Sequence, residues 1–394
     1  MIKEFFMVQS GLTSSYKFKL DETTRRSYLI ELSRHQDVAN VHTGGVNSLD
    51  IDKGENRYLL SGCTDGSIYI HDLYNFSGLP NYTAKCICKI DKYSNVAHRC
   101  SVECTSWFGD DNELFITSGT DQTLKVWDAN NLKPVENFTC KGRIFHHDCT
   151  SVPSLHPILA VASSVKHVEL IDLRTGSSVH ELRGHNSSVL ACAWSPANEY
   201  ILATGGVDNK ILFWDVRSSS SCLMSLDQYN EKSNTGTAHS GYVNGLKFTE
   251  DGLLLLSFGT DDRLRLWETL NGHHQMINYG RIKNDVKRHL AFSVTSNCKP
   301  PLAYVPCEGH IYVIEIYSGR VIRILHGHFN IVNCSYYRQS NQELYTGGKD
   351  RNILMWTPDY SQRQAYTENI TYEEKKTTRL PIVRTLDNWS SDED

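Results

Sequence analysis

The sequence predicts an all-β fold, a seven-bladed β-propeller with an N-terminal helical arm. Three observations carry this. Five segments align on a His…Asp…Trp pattern: His42…Asp65…His71, His98…Asp121…Trp127, His185…Asp208…Trp214, His239…Asp261…Trp267 and His328…Asp350…Trp356. The His-to-Asp spacings are 23, 23, 23, 22 and 22, and the Asp-to-Trp spacing is always 6. Four residues before each Asp stands a hydroxyl: Ser61, Thr117, Thr204, Ser257 and Thr346. Self-similarity at a fixed period of about 45 residues is the signature of a propeller array.

Within one period the chain reads as short strands. Residues 188–194, 200–204 and 210–214 are rich in β-branched and aromatic side chains, with turn residues at Ser195-Pro196 and Val207-Asp208-Asn209 between them. A fourth strand, such as Ser178–Leu182, precedes the next Gly-His. From His42 to Pro358 there are 317 residues, room for seven such units. The third is degenerate, with Val165 and Val161 in place of the Asp and the hydroxyl and His146-His147 in the opening position. The sixth, 281–316, has no opening His. Residues 37–41 precede the first His as fourth strands precede the others, and are expected to complete the last blade and close the ring.

Each pattern offers Ser/Thr, His and Asp, the side chains of a hydrolytic triad. A nucleophilic site is one oriented constellation with an oxyanion hole, not a trio repeated around a ring. The tetrad His185, Thr204, Asp208 and Trp214 is therefore read as structural, buried polar groups satisfying one another. No catalytic residue, cofactor or metal is expected. His146-His147-Asp148-Cys149 is read as blade structure rather than a zinc site, and no Gly-rich loop ends in Gly-Lys-Ser/Thr. The 12 cysteines are scattered, the closest pair being Cys86 and Cys88, and are expected to be reduced.

A net charge of −5 speaks against a protein that mainly grips phosphates, so direct nucleic-acid binding is not expected. No apolar run approaches the ~18 residues of a membrane span. Residues 1–36 lie outside the predicted ring; Thr23-Thr24-Arg25-Arg26 opens a helix through Leu29 and Leu32, expected to insert into a partner's groove, the alternative being that the arm folds back onto the propeller. Residues 359–394 turn polar and end Trp389-Ser390-Ser391-Asp392-Glu393-Asp394, an acidic tail in which Ser390 and Ser391 are candidate phosphosites.

The repeat resembles the WD-repeat propeller pattern. Trp214-Asp215-Val216-Arg217 is similar to the motif of substrate receptors for cullin-4 ubiquitin ligases, with Ile171-Asp172-Leu173-Arg174 as a weaker copy. Thr24-Arg25-Arg26, 45–51, 123–128, 201–204, Asp227-Gln228, Thr237-Ala238-His239, Asn278-Tyr279-Gly280 and the closing Trp389-Ser390-Ser391-Asp392-Glu393 extend the resemblance to the Cockayne syndrome group A family. One departure is His71 in place of Trp.

What the resemblance implies is a non-catalytic, nuclear substrate receptor in transcription-coupled nucleotide excision repair, chromatin-associated after damage. Trp214, Asp215, Arg217, Arg25, Arg26 and Leu29 would contact the adaptor, damaged-DNA-binding protein one. Cullin-4 and its RING subunit would join through the adaptor. The group B translocase of Cockayne syndrome and stalled RNA polymerase II would be the partners brought in. Propeller topology sends Arg217 to the bottom face and Thr64, Thr120, Thr260 and Lys349, just before each Asp, to the top, the expected substrate face. The alternative is a generic WD-repeat scaffold with no ligase role.

Overall fold

The computed structural model describes residues 2–77, 82–109, 113–150, 157–218, 222–230 and 236–358. The candidate phosphosites Ser390 and Ser391, and the acidic tail that carries them, lie outside the described residues. Among the described residues the strands form seven sheets in chain order, one per blade, antiparallel but for one edge strand of blade one. Blade four shows the plan: Val189–Trp194 innermost, then Ile201–Gly206, Ile211–Asp215 and Cys222–Ser225 outermost. Alternation is lost in the inner strands because both sheet faces are covered by neighbouring blades; Val189–Trp194 is buried at all six positions.

Polar side chains staple neighbouring blades. Asn47, Asn244 and Asn333 occupy equivalent inner-strand positions, and each donates its Nδ2 to a backbone carbonyl of the next blade: Val102, Val286 and Val46. Asp50 accepts the Trp107 N–H at 2.7 Å, and Asp148 accepts that of Trp194 at 2.7 Å. Burial raises both carboxyls, Asp50 to about 6, with the Trp N–H groups opposing the shift.

Three expectations are corrected. The strand that completes blade seven is Ile30–Leu32, paired with Ile353–Pro358, and not residues 37–41. Gln36–Val38 instead adds a parallel fifth strand to blade one, against residues 82–84. Residues 30–32 and Gln36, assigned to the arm by the boundary at 36, are thus paired with the ring. His146 and His147 do not open blade three: they lie in its innermost strand, Ile144–Cys149. There His147 is buried between Ser106 and Ser118 of blade two, at 2.8 and 2.7 Å.

The arm is α1 (Ile2–Gln9) and α2 (Ser15–Tyr28). The C-terminal half of α2 is seated on blades six and seven. Ser27 Oγ lies 2.7 Å from the Tyr337 hydroxyl, Thr23 donates to the Asn297 carbonyl at 2.6 Å, and the Lys299 N–H donates to Thr24 at 3.0 Å. No described helix is long and apolar enough to cross a membrane.

Candidate functional site: two faces of the ring

Among the described residues four blades carry a complete tetrad. In blade four His185 Nδ1 lies 3.0 Å from Asp208, its Nε2 2.8 Å from Thr204 Oγ1, and Trp214 Nε1 donates to the same oxygen at 2.7 Å. His98–Asp121–Thr117–Trp127, His239–Asp261–Ser257–Trp267 and His328–Asp350–Thr346–Trp356 repeat this within 0.3 Å. One proton arrangement satisfies every atom: the indole N–H donates to the hydroxyl oxygen, the hydroxyl donates to Nε2, and Nδ1–H donates to the carboxylate. Burial would raise the Asp208 carboxyl, but the His185 hydrogen bond, with the Asn186 and Lys210 backbone N–H groups, holds it below its ordinary range. With its lone pair taken up by the hydroxyl, Nε2 is not free to activate a nucleophile, and the Thr oxygen is buried. The arrangement is a brace between a loop and a turn.

Blade one departs from the plan. His42 Nε2 lies 2.9 Å from Ser61, but among the described residues its Nδ1 has no hydrogen-bond partner, and neither ring nitrogen of the fully buried His71 reaches one within 3.5 Å, the Ala39 backbone being its nearest polar influence. Asp65 is taken by Thr43 and Ser67 instead. Burial pushes His42 down to about 3 and His71 to about 4, so both rings are neutral at physiological pH.

The brace fixes where each loop emerges. The outer-to-inner loops and the turns just before each Asp share the top face; the other two sets of turns share the bottom. Thr64, Thr120, Thr260 and Lys349 are equivalent: each donates its backbone N–H to the loop opening its own blade, at Gly45, Ser101, Tyr242 and Ile331, over 2.8–2.9 Å. Thr120 and Thr260 also engage their hydroxyls locally, whereas the Lys349 side chain is exposed.

On the bottom face Trp214 is buried in its tetrad and Asp215 ends the third strand. Asp215 accepts the Arg217 backbone N–H at 3.0 Å, and two more bonds from its guanidinium, Nε–Oδ1 at 3.0 Å and Nη2–Oδ2 at 2.6 Å. The guanidinium also lies over the Tyr200 ring, 4.4 Å from its centroid. The side chain is nevertheless 59% exposed. A fork plus a stacking face holds a long side chain in one rotamer, so less entropy is lost when a partner docks on it.

The weaker copy lacks this: at Arg174 only the backbone N–H is seen to reach Asp172, at 2.8 Å. A second fork, missed in the sequence, joins Arg57 to Asp72 of blade one at 2.9 and 2.8 Å. Arg57 arrives from the turn before the second strand, so no contiguous motif announces it.

The arm residues are placed differently from an insertion arm. Leu29 is buried; Arg25 bonds Glu22 at 2.9 and 2.6 Å; Arg26 bonds Glu22 and, at 3.3 Å, Gln342. Apolar exposure lies further upstream, at Phe6 (62%), Leu12 (76%) and Tyr16 (69%).

A ring of seven blade sheets, four of them braced by His–Asp–hydroxyl–Trp tetrads among the described residues, defines a WD-repeat propeller, and this chain belongs to the WD-repeat family. The family described as WD domain, G-beta repeat, matches at residues 34–72, 88–128, 176–215, 230–268 and 319–357, the five blades that carry the His–Asp pattern. The chain is 31% identical to the WD repeat-containing protein ATCSA-1 of Arabidopsis thaliana, over 97% of this chain and 98% of that one. It is 27% identical to Radiation-sensitive protein 28 of Saccharomyces cerevisiae, over 43% of this chain and 38% of the other. A guanine nucleotide-binding protein subunit beta of Arabidopsis thaliana is 24% identical, over 80% and 81%. WD-repeat propellers are generally non-catalytic scaffolds.

Proposed function

We propose that the protein is the substrate-recognition subunit of a cullin-4 RING ubiquitin ligase acting in transcription-coupled nucleotide excision repair, in the manner of the Cockayne syndrome group A family. The observation that carries this is the pre-set Arg217 on the bottom face, forked to Asp215 and stacked on Tyr200. The end-to-end similarity to ATCSA-1 supports the reading, as does the partial similarity to a radiation-sensitivity protein.

In this reading the bottom face and the exposed residues Phe6, Leu12 and Tyr16 of the arm bind damaged-DNA-binding protein one. Cullin-4 and the RING subunit follow through that adaptor. The top face, with Lys349 and the Thr64, Thr120 and Thr260 turns, takes the group B translocase of Cockayne syndrome and factors at stalled RNA polymerase II. Localisation is nuclear. The ring supplies no chemistry of its own; it raises the effective concentration of a target lysine near the transferring enzyme.

The test is a titration of purified adaptor against wild type and Arg217→Ala. Truncating an interface anchor costs about 2 kcal/mol or more, a loss near thirtyfold. Unchanged affinity in Arg217→Ala, and in a Phe6→Ser/Leu12→Ser variant, would refute the assignment.

A further inference from the structure

His310 and His326 face each other across the outer hairpin of blade six. Its strands, His310–Glu315 and Val321–His326, are antiparallel, with His310 opposite His326 and Tyr312 opposite Ile324. Side chains alternate along a strand, so Ile311 and Leu325, both buried, point into the blade while the two histidines share the outer face. Their Nδ1 atoms lie 3.0 Å apart, the rings standing edge to face with centroids 4.3 Å apart.

Protons alone satisfy this contact poorly. A hydrogen bond between two Nδ1 atoms needs one ring to carry a proton there and the other to offer a bare lone pair, and two protonated rings would put like charges directly opposite on a strand pair. A metal ion accepts both lone pairs at once and leaves each ring's proton on Nε2. The spacing selects the ion. With metal–nitrogen distances of about 2.0–2.1 Å, cis ligands at about 90° stand about 2.9 Å apart, and tetrahedral ligands about 3.3–3.4 Å apart. The observed 3.0 Å fits the square-planar or tetragonal habit of Cu2+ and Ni2+ better than tetrahedral Zn2+. The surroundings favour a cation as well. His310 lines a cleft of about 350 Å³ whose rim carries Asp285 and Glu308 around one lysine, Lys283, at 3.4 and 2.5 Å, leaving a net negative charge.

We propose that His310 and His326 chelate a divalent transition-metal ion of the Cu2+ or Ni2+ class. Among the described residues no third His, Cys, Asp or Glu completes a ligand set with them, so water fills the remaining positions. His328, two residues beyond His326, is not available, because Asp350 and Thr346 engage its two ring nitrogens at 2.8 Å each. Rotation of the two rings about χ2 turns both Nδ1 lone pairs onto one point without moving the strands. The bound ion ties the third strand of blade six to the fourth, in a blade that has no tetrad to brace it.

The test uses the untagged full chain, stripped with chelator and titrated calorimetrically with Cu2+, Ni2+ and Zn2+ chlorides in citrate, which competes for ions held by a single imidazole. One equivalent of Cu2+ is expected to bind wild type, and His310→Asn and His326→Asn are each expected to lower the affinity at least about tenfold. Electron paramagnetic resonance of the Cu2+ form should show two equatorial nitrogens in wild type and at most one in either variant. Because an ion that binds only the folded state stabilises it, Cu2+ should raise the melting temperature of wild type and not of the variants. Should His310→Asn lower the melt of the metal-free protein, His326→Asn, at the more exposed position, decides alone. Full affinity in the variants would put the ion on other histidines and overturn the proposal. An absence of saturable binding overturns it too, leaving the Nδ1 contact a hydrogen bond only. Zn2+ bound as tightly as Cu2+ overturns the cis geometry.

Discussion

Replacing Thr204 with Val keeps the shape of the side chain and removes one oxygen. That oxygen serves Trp214 Nε1 at 2.7 Å and His185 Nε2 at 2.8 Å, and Thr204 and Trp214 have no solvent exposure. The variant therefore leaves a buried donor and a buried acceptor with nothing to bond. Each orphan costs about 1–3 kcal/mol, and the added methyl returns less than about 1 kcal/mol, so the net loss is about 2–5 kcal/mol. Unfolding entropy near 60 °C is about 2.1 cal/mol/K per residue, or about 0.7 kcal/mol/K for roughly 350 ordered residues, so Tm should fall by ~3–7 °C. Calorimetry beside far-ultraviolet circular dichroism at pH 7 reads this, coincident transitions confirming cooperative unfolding. Thr204→Ser retains the oxygen and loses only a methyl, which should cost about 1 kcal/mol. A Val variant that melts within a degree of wild type, with the Ser variant lower, would show that methyl packing rather than the hydrogen-bond relay holds the blade.

Two further outcomes are expected. His71→Phe removes two nitrogens that reach no hydrogen-bond partner among the described residues, so stability at pH 7 should hold or rise. Wild-type His71 titrates near 4 when folded and near ~6.5 when unfolded, so its contribution is complete above ~6.5 and is lost as pH falls toward 4. The variant should accordingly flatten the stability–pH curve in that window by up to ~1.4 kcal/mol per pH unit, as chemical denaturation from pH 7 to 4.5 would show; parallel curves would refute the buried neutral imidazole. Asp215→Asn should barely move the melt, since an exposed ion pair contributes at most ~1 kcal/mol. It should still weaken adaptor binding several-fold by releasing Arg217; full affinity would show that the fork does not pre-set it.

The ring was legible in the sequence because the tetrads demand side chains at fixed spacings, and a spacing survives when flanking residues change. Blade one shows what a spacing alone conceals. A Cβ added to Gly184 or Gly327 would meet the ring edge of Trp214 or Trp356 at 2.9 Å, so a residue without side chain bulk precedes the histidine where the indole passes. Val41 holds that place before His42, and the smaller imidazole of His71 stands opposite. The closing strand was hidden for another reason. Ile30–Leu32 is three residues long, continues an amphipathic run that reads as helix, and finds its partner at the far end of the chain. The Arg217 motif could be read because it is contiguous; the fork that positions it, and its Arg57 counterpart, depend on side chains brought together only by the sheet.

Closure by Ile30–Leu32 makes the earliest and latest parts of the chain mutually dependent during synthesis. Ser27 meets Tyr337, 310 residues further on, so the segment after α2 emerges first and must stay unpaired until blade seven has left the ribosome. For that interval both Ile30–Leu32 and the growing edge of the last formed blade expose unpaired backbone, a template for pairing with another chain. Chains halted before Ile353–Pro358 would carry six finished blades and an open seam. A nonsense change late in the sequence would then send the product to chaperones and proteases rather than leave a slightly shortened ring.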